Sequence, residues 1–110
     1  MMNKYNARKV TIDGIAFDSA KEAARYRDLK LMQRAGEIRG LRLQVEYELI
    51  PKQVGERACN YIADFVYQDV ATGETVVEDV KGYKKGAAYN IFAIKRKLML
   101  WRYGIKIVEV

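Results

Sequence analysis

Hydrophobic and polar positions change period several times along the chain. Residues 10–17 alternate weakly about Asp13-Gly14, which predicts a small hairpin. Residues 19–35 shift to a helical period, with Ala20, Ala23, Ala24, Leu31, Met32 and Ala35 forming the main apolar face. Ser19-Ala20-Lys21-Glu22 fits an N-terminal capping box, and Gly36 fits a C-terminal stop. On this wheel Glu22 falls on a different side, near Tyr26 and Leu29.

Alternation returns over residues 41–51. Leu43, Val45, Tyr47 and Leu49 point one way, Gln44, Glu46 and Glu48 the other, and Pro51 ends the strand. Residues 60–68 predict the next strand, with Tyr61, Ala63, Phe65 and Tyr67 on one face and Ile62, Asp64 and Val66 on the other. A turn at residues 71–74 leads into a third strand over residues 75–81, antiparallel to the second. A glycine-bounded basic loop, residues 82–88, precedes a helix over residues 89–103, with Ile91, Ile94, Leu98 and Trp101 at helical spacing and Gly104 as its stop. Residues 105–110 form a last strand, which the helical crossover allows to pair in parallel with the third. The expected order is αβββαβ, a single α/β domain over residues 10–110 with a mixed sheet, preceded by a basic flexible arm at residues 1–9.

Composition limits the chemistry. Half of the 110 residues are hydrophobic and 31% are charged, enough for a packed core in one domain. The single cysteine, Cys59, excludes an internal disulfide and points to a reducing compartment. The N-terminus has no apolar leader stretch, and the longest charge-free run, residues 86–94, is too short to cross a membrane. A cytoplasmic protein is therefore expected. Without histidine there is no Ser-His or Cys-His nucleophile, and a zinc site is not expected. Carboxylate and carbonyl oxygens remain, the ligand set of Mg²⁺ and Mn²⁺.

The net charge of +6 is unevenly spread. Residues 80–108 hold eight Lys/Arg and no acid, and Lys4, Arg8 and Lys9 add to the positive charge. A solvated surface accounts for any one of these. An acid-free stretch of this length points to a polyanion partner, with phosphate contacts supplying affinity.

The segment Val76-Val77-Glu78-Asp79-Val80-Lys81-Gly82 places two acids and a lysine at the end of an apolar strand. By alternation Asp79 and Lys81 share a side and Glu78 takes the other. Asp64 sits on the neighbouring strand. Two buried, ionised aspartates on adjacent strands repel, and a divalent cation between them removes the conflict. Lys81 beside them suits phosphoryl chemistry by holding a phosphate oxygen, orienting water or stabilising charge. The alternative is an Asp79–Lys81 ion pair of structural purpose, with Asp64 bonded to backbone.

Asp64, 14 intervening residues and then Asp79-Val80-Lys81 resemble the D…(D/E)xK motif of the PD-(D/E)XK nuclease superfamily, on its restriction-endonuclease-like αβββαβ core. The wider wording, "FDSAKEAARY", "YIADFVY" and "VVEDVKG", is similar to a small phage-type family within that superfamily, related to Holliday-junction resolvases. Ala63 stands where the superfamily's name has proline, and Asp79 where glutamate is commoner. The resemblance implies a Mg²⁺- or Mn²⁺-dependent endonuclease acting on branched DNA as a homodimer. It implies that Asp64 and Asp79 ligate metal, with the Val80 carbonyl as an extra ligand, and that Lys81 activates water. Glu22 matches a helix carboxylate that many members add to the metal site; its other reading is the capping box. Lys95 matches a position where members carry lysine or glutamine, against phosphate, or is surface charge. Lys84 and Lys85, with Lys4, Arg8 and Lys9, would follow the DNA backbone. Tyr83 and Tyr89 would stack on bases or pack.

Overall fold

A computed structural model describes residues 9–110. Its elements are β1 (Val10–Ile12), β2 (Ile15–Phe17), α1 (Ala20–Arg34), β3 (Ile38–Ile50), β4 (Cys59–Asp69), β5 (Thr75–Asp79), α2 (Ala87–Tyr103) and β6 (Val108–Glu109). β1 and β2 form the expected hairpin. The other strands form one mixed sheet in the order β3-β4-β5-β6, with β4 antiparallel to both β3 and β5 and β6 parallel to β5. This is the αβββαβ order expected of the sequence. The last strand is shorter than expected, and Lys81 lies just beyond β5. The pairing nevertheless continues there, because Val110 N–H donates to Asp79 O at 3.0 Å and Lys81 N–H to Val110 O at 2.9 Å. No helix among the described residues is long and apolar enough to cross a membrane.

The sheet is covered on both faces. Phe92 and Met99 of α2 pack with Leu49, Tyr61, Ala63, Val66, Val77 and Ile107. Ala23, Tyr26 and Leu29 of α1 pack with Phe17, Ile38, Phe65 and Tyr67. Cys59 is half-buried against the α2 cluster.

Simple alternation along β3 and β4 does not hold. Val45, Tyr47 and Leu49 pack on the α2 side, but Leu41 and Leu43 pack on the α1 side. Likewise Tyr61 and Ala63 lie on the α2 side with Val66, whereas Phe65 and Tyr67 lie on the α1 side. The pairs Leu43↔Phe65 and Val45↔Ala63 flank the reversal, so it falls at Gln44 and Asp64, opposite each other. Gln44 has φ of 52°, a left-handed conformation uncommon outside glycine. It turns the strand over without adding a residue.

Both helices bury a face other than the one their spacing suggested. In α1 the buried stripe is Ala23, Tyr26 and Leu29, while Leu31 and Ala24 are exposed. Glu22 lies along this inward stripe. Ser19 caps α1, its Oγ accepting from Glu22 N–H at 3.1 Å. In α2 the buried side chains are Phe92 and Met99, and Ile91, Ile94 and Trp101 face outward. Gly104 closes α2 in the left-handed region at φ 67°, its N–H donating to Leu100 O at 2.9 Å.

Candidate active site

The two acids at the end of β5 have different fates. Glu78, 1% exposed, turns toward α1. Arg25 grips it with two bonds, Nε to Oε1 at 2.8 Å and Nη2 to Oε2 at 2.6 Å. The Tyr67 hydroxyl also donates to Glu78 Oε2. The Tyr67 hydroxyl therefore titrates well above the usual tyrosine range, first through burial and then through that bond. This network fastens α1 to β5.

Asp79 turns to the α2 side. Its Oδ2 accepts from the Tyr61 hydroxyl at 2.7 Å, and its Oδ1 faces Lys81 Nζ at 2.9 Å. Burial, and then the bond to Asp79, push the Tyr61 hydroxyl far up. Lys81 Nζ also stands 3.6 Å from the centre of the Phe92 ring, a cation–π contact. Lys21 on α1 donates to the Lys81 carbonyl. The lysine is thus held at its head by a carboxylate and a ring and at its backbone by a second cation.

Asp64 joins the group from β4, at the place where the alternation reverses. Its Oδ2 accepts from Val80 N–H at 2.7 Å, and its Oδ1 from Gln44 Nε2 at 3.3 Å. The first bond spans the gap between β4 and β5 and sets Asp64 beside the Asp79–Val80–Lys81 segment. The Asp64 carboxyl is pushed up by burial and, more weakly, by Asp79, with the Val80 and Gln44 bonds opposing. Glu22 completes the convergence from α1. Its carboxyl is raised from 4.5 to about 7, by burial first and then by Asp64, Asp18 and Asp79. Both readings of Glu22 hold at once: its backbone N–H serves the Ser19 cap while its carboxyl senses the aspartates.

A cleft of 320 Å³ opens beside these groups, lined by Asn60, Tyr61, Ile62, Asp79, Lys81, Ala88, Ile91, Phe92 and Lys95. Lys95 therefore lines the same cleft as Asp79 and Lys81. The buried Oδ1 of Asn60 has no hydrogen-bond partner among the described residues. The other cations are more scattered. Lys84 pairs with Glu109 at 3.9 Å, which also binds Arg96 at 3.2 Å and the Tyr89 hydroxyl at 2.7 Å. Glu109, one residue past the acid-free stretch, thus offsets part of its charge, and Tyr89 is tied down rather than free to stack. Lys85, Tyr83 and Lys9 are exposed. Lys4 and Arg8, with most of the expected arm, lie outside the described residues.

Sequence reasoning missed Arg25, Gln44, Asn60, Tyr61 and Tyr67. Tyr61 and Tyr67 read only as aromatics sharing one strand face, and their hydroxyls betray the site, since a buried tyrosine needs a partner.

Among the described residues, no three carboxylate, thiolate or imidazole side chains stand close enough to form a finished metal cage. All four oxygens of Asp64 and Asp79 have a donor or a cation beside them. The donor types still suit a hard cation: Asp64 and Asp79 lie on adjacent strands, Glu22 is near enough to feel both, each oxygen has a second lone pair, and Asn60 adds an unpaired oxygen at the cleft. The Glu22 carboxyl is raised by burial first, and the neighbouring aspartates add to it.

The chain belongs to a family described as protein of unknown function (DUF1064), which matches residues 2–108. Neither a curated protein nor a solved structure matches it.

Proposed function

We propose that the protein is a metal-dependent endonuclease of the PD-(D/E)XK type that hydrolyses phosphodiester bonds in branched DNA, such as a four-way junction. The observation that carries this reading is the grouping of Asp64 with Asp79, Val80 and Lys81 across β4 and β5, with Asp79, Lys81 and Lys95 lining one cleft and Glu22 near enough on α1 to feel both aspartates. Glu22, Asp64 and Asp79 would hold Mg²⁺ or Mn²⁺, with the Val80 carbonyl between Asp79 and Lys81 as a further oxygen. Bound there, the cation supplies Lewis acidity and a more acidic water. Tyr61 keeps Asp79 oriented through its hydroxyl. Gln44 and Val80 N–H do the same for Asp64. The Lys81 ammonium, steered by Phe92, stabilises the charge that grows on the phosphate. Lys95 holds a neighbouring phosphate oxygen, and Lys84, Lys85 and Lys9 extend the basic path. Cutting a junction symmetrically needs two such sites, so we place the active form as a homodimer. Its setting is a reducing cytoplasm where DNA and Mg²⁺ meet, with a phage-encoded role in recombination in keeping with the sequence resemblance.

A second reading, a non-catalytic nucleic-acid-binding protein, draws on the donor already beside every oxygen of Asp64 and Asp79. One experiment separates the two. Labelled four-way junction, flap, duplex and single-stranded DNA, with a single-stranded RNA, are incubated in Mg²⁺, Mn²⁺ or EDTA with wild type, Asp79→Ala and Lys81→Ala. Metal-dependent cutting that both substitutions abolish, fastest on the junction, is the expected result. Tight binding without cutting in any metal transfers the protein to the second reading.

A further inference from the structure

Ile91, Ile94 and Trp101 leave much of the outer face of α2 exposed, while Leu98 packs at the edge of the core and Arg102 reaches β3. Ile91, Lys95, Leu98 and Arg102 recur at intervals of four, three and four residues, which aligns them in one row. Ile94 and Trp101 flank the row, 59% and 80% exposed. The row joins two concavities. Ala88, Ile91 and Lys95 line the carboxylate cleft. Leu98, Trp101 and Arg102 line a second, apolar groove of 620 Å³, whose other wall is Leu49, Ile50 and Pro51. From Ile91 to Trp101 the path covers about 15 Å of helix.

We infer that this row is a track for a single-stranded nucleic acid leaving the carboxylate cleft, with a base stacked on Trp101. The inference rests on the nucleic-acid reading above and adds to it a feature of the substrate: a strand unpaired beside the scissile phosphate, as at a flap or an opened branch point. The charge on α2 chooses this occupant. The helix carries Lys95, Arg96, Lys97 and Arg102 and no carboxylate. Arg96 is committed to Glu109, and Arg102 is partly held by Leu49 O at 2.9 Å and Glu48 at 3.3 Å. Lys95 and Lys97 remain beside the apolar row. A second copy laid on this face would set these cations against themselves. A duplex would offer its phosphates but hide its base faces from Ile91, Ile94 and Trp101. Only an unpaired strand presents phosphates to the lysines and base faces to the apolar side chains, the combination that single-strand grooves use.

Trp101 is the sole tryptophan of the chain, so its emission reports the site directly. The experiment titrates full-length protein in EDTA with an oligonucleotide of about eight deoxythymidines, a length within known single-strand site sizes, and separately with a blunt duplex. Saturable quenching by the single strand, well beyond that by the duplex, is expected. Trp101→Ala, at an exposed position, should weaken binding of the labelled oligonucleotide in anisotropy by about five- to a hundredfold, the range for loss of one base–aromatic stack. Absence of quenching overturns the inference, as does unchanged affinity in Trp101→Ala. Emission and sedimentation that change with protein concentration alone assign the face to a second copy and also overturn it. Labelled four-way-junction and flap DNA with Mg²⁺, added to the same protein, separates the two readings. Cutting without quenching removes the track and leaves the nuclease. Quenching without cutting removes the nuclease and leaves the track.

Discussion

Replacing Glu22 by glutamine should stabilise the metal-free protein, by an amount that grows as pH rises from 4.5 to about 7 and is then constant. The carboxyl ordinarily titrates at 4.5 and here at about 7, pushed up by burial and by Asp64, Asp18 and Asp79. Between those values the folded protein keeps a proton that the unfolded chain has released. Stability must then fall as pH rises through that window and level off above it. At about 1.4 kcal/mol per tenfold change in proton affinity, the ionised form loses at most about 3.4 kcal/mol. Solvent reaches this half-buried group, and screening lowers the figure to roughly 1–2 kcal/mol. In a domain of this size that is roughly 4–8 °C of melting temperature. Glutamine keeps the shape and the backbone bond to Ser19 while removing the charge. Thermal melts of both proteins in EDTA at pH 4.5 and pH 8 test this. The variant should match wild type at the lower pH and melt roughly 4–8 °C higher at the upper. Mn²⁺ at pH 8 should close the gap by stabilising wild type more. A variant that melts lower at pH 8, or a difference independent of pH, would refute the claim that Glu22 faces the two aspartates.

Two further outcomes follow from the contacts around the site. Arg25→Gln leaves Glu78 buried with only the Tyr67 hydroxyl and should cost about 3 kcal/mol in urea unfolding; the double change Arg25→Met, Glu78→Met should cost less than Arg25→Gln alone. Tyr61→Phe removes the hydroxyl from Asp79 and should cost about 1–2 kcal/mol of stability and lower metal-dependent cleavage at subsaturating Mn²⁺ more than at saturation, as measured by initial rates across a metal titration.

The element order, the Ser19 cap, the β4–β5 meander and the grouping of Asp64 with Asp79 and Lys81 were legible because each rests on local pattern. Asp79 could be preferred over Glu78 because alternation holds within β5, even though it fails in β3 and β4. That failure has no local signature: Gln44 adopts a left-handed conformation with no glycine to announce it, so the faces of Leu43, Phe65 and Tyr67 were misread. The faces of the helices were misread for a different reason. α2 is apolar around more than half its circumference, so the stripe of Ile91, Ile94, Leu98 and Trp101 and the stripe of Phe92 and Met99 both satisfy the period. In α1 the inward stripe carries Glu22 and Arg25 beside Tyr26, because the polar site and the Glu78 pair lie beneath it. Hydrophobicity alone points elsewhere. The partner of Glu78 comes from 53 residues away and is visible only in three dimensions.

The central claim, that Glu22, Asp64 and Asp79 share one divalent cation, is tested most directly by titrating Mn²⁺ into the protein in a calorimeter at pH 6.5, in two buffers of different ionisation heat. The account predicts one site per chain, proton release on binding as the Glu22 carboxyl ionises, and loss of the site in Asp64→Asn and Asp79→Asn. Absence of binding, or binding that both asparagine variants retain, would contradict it.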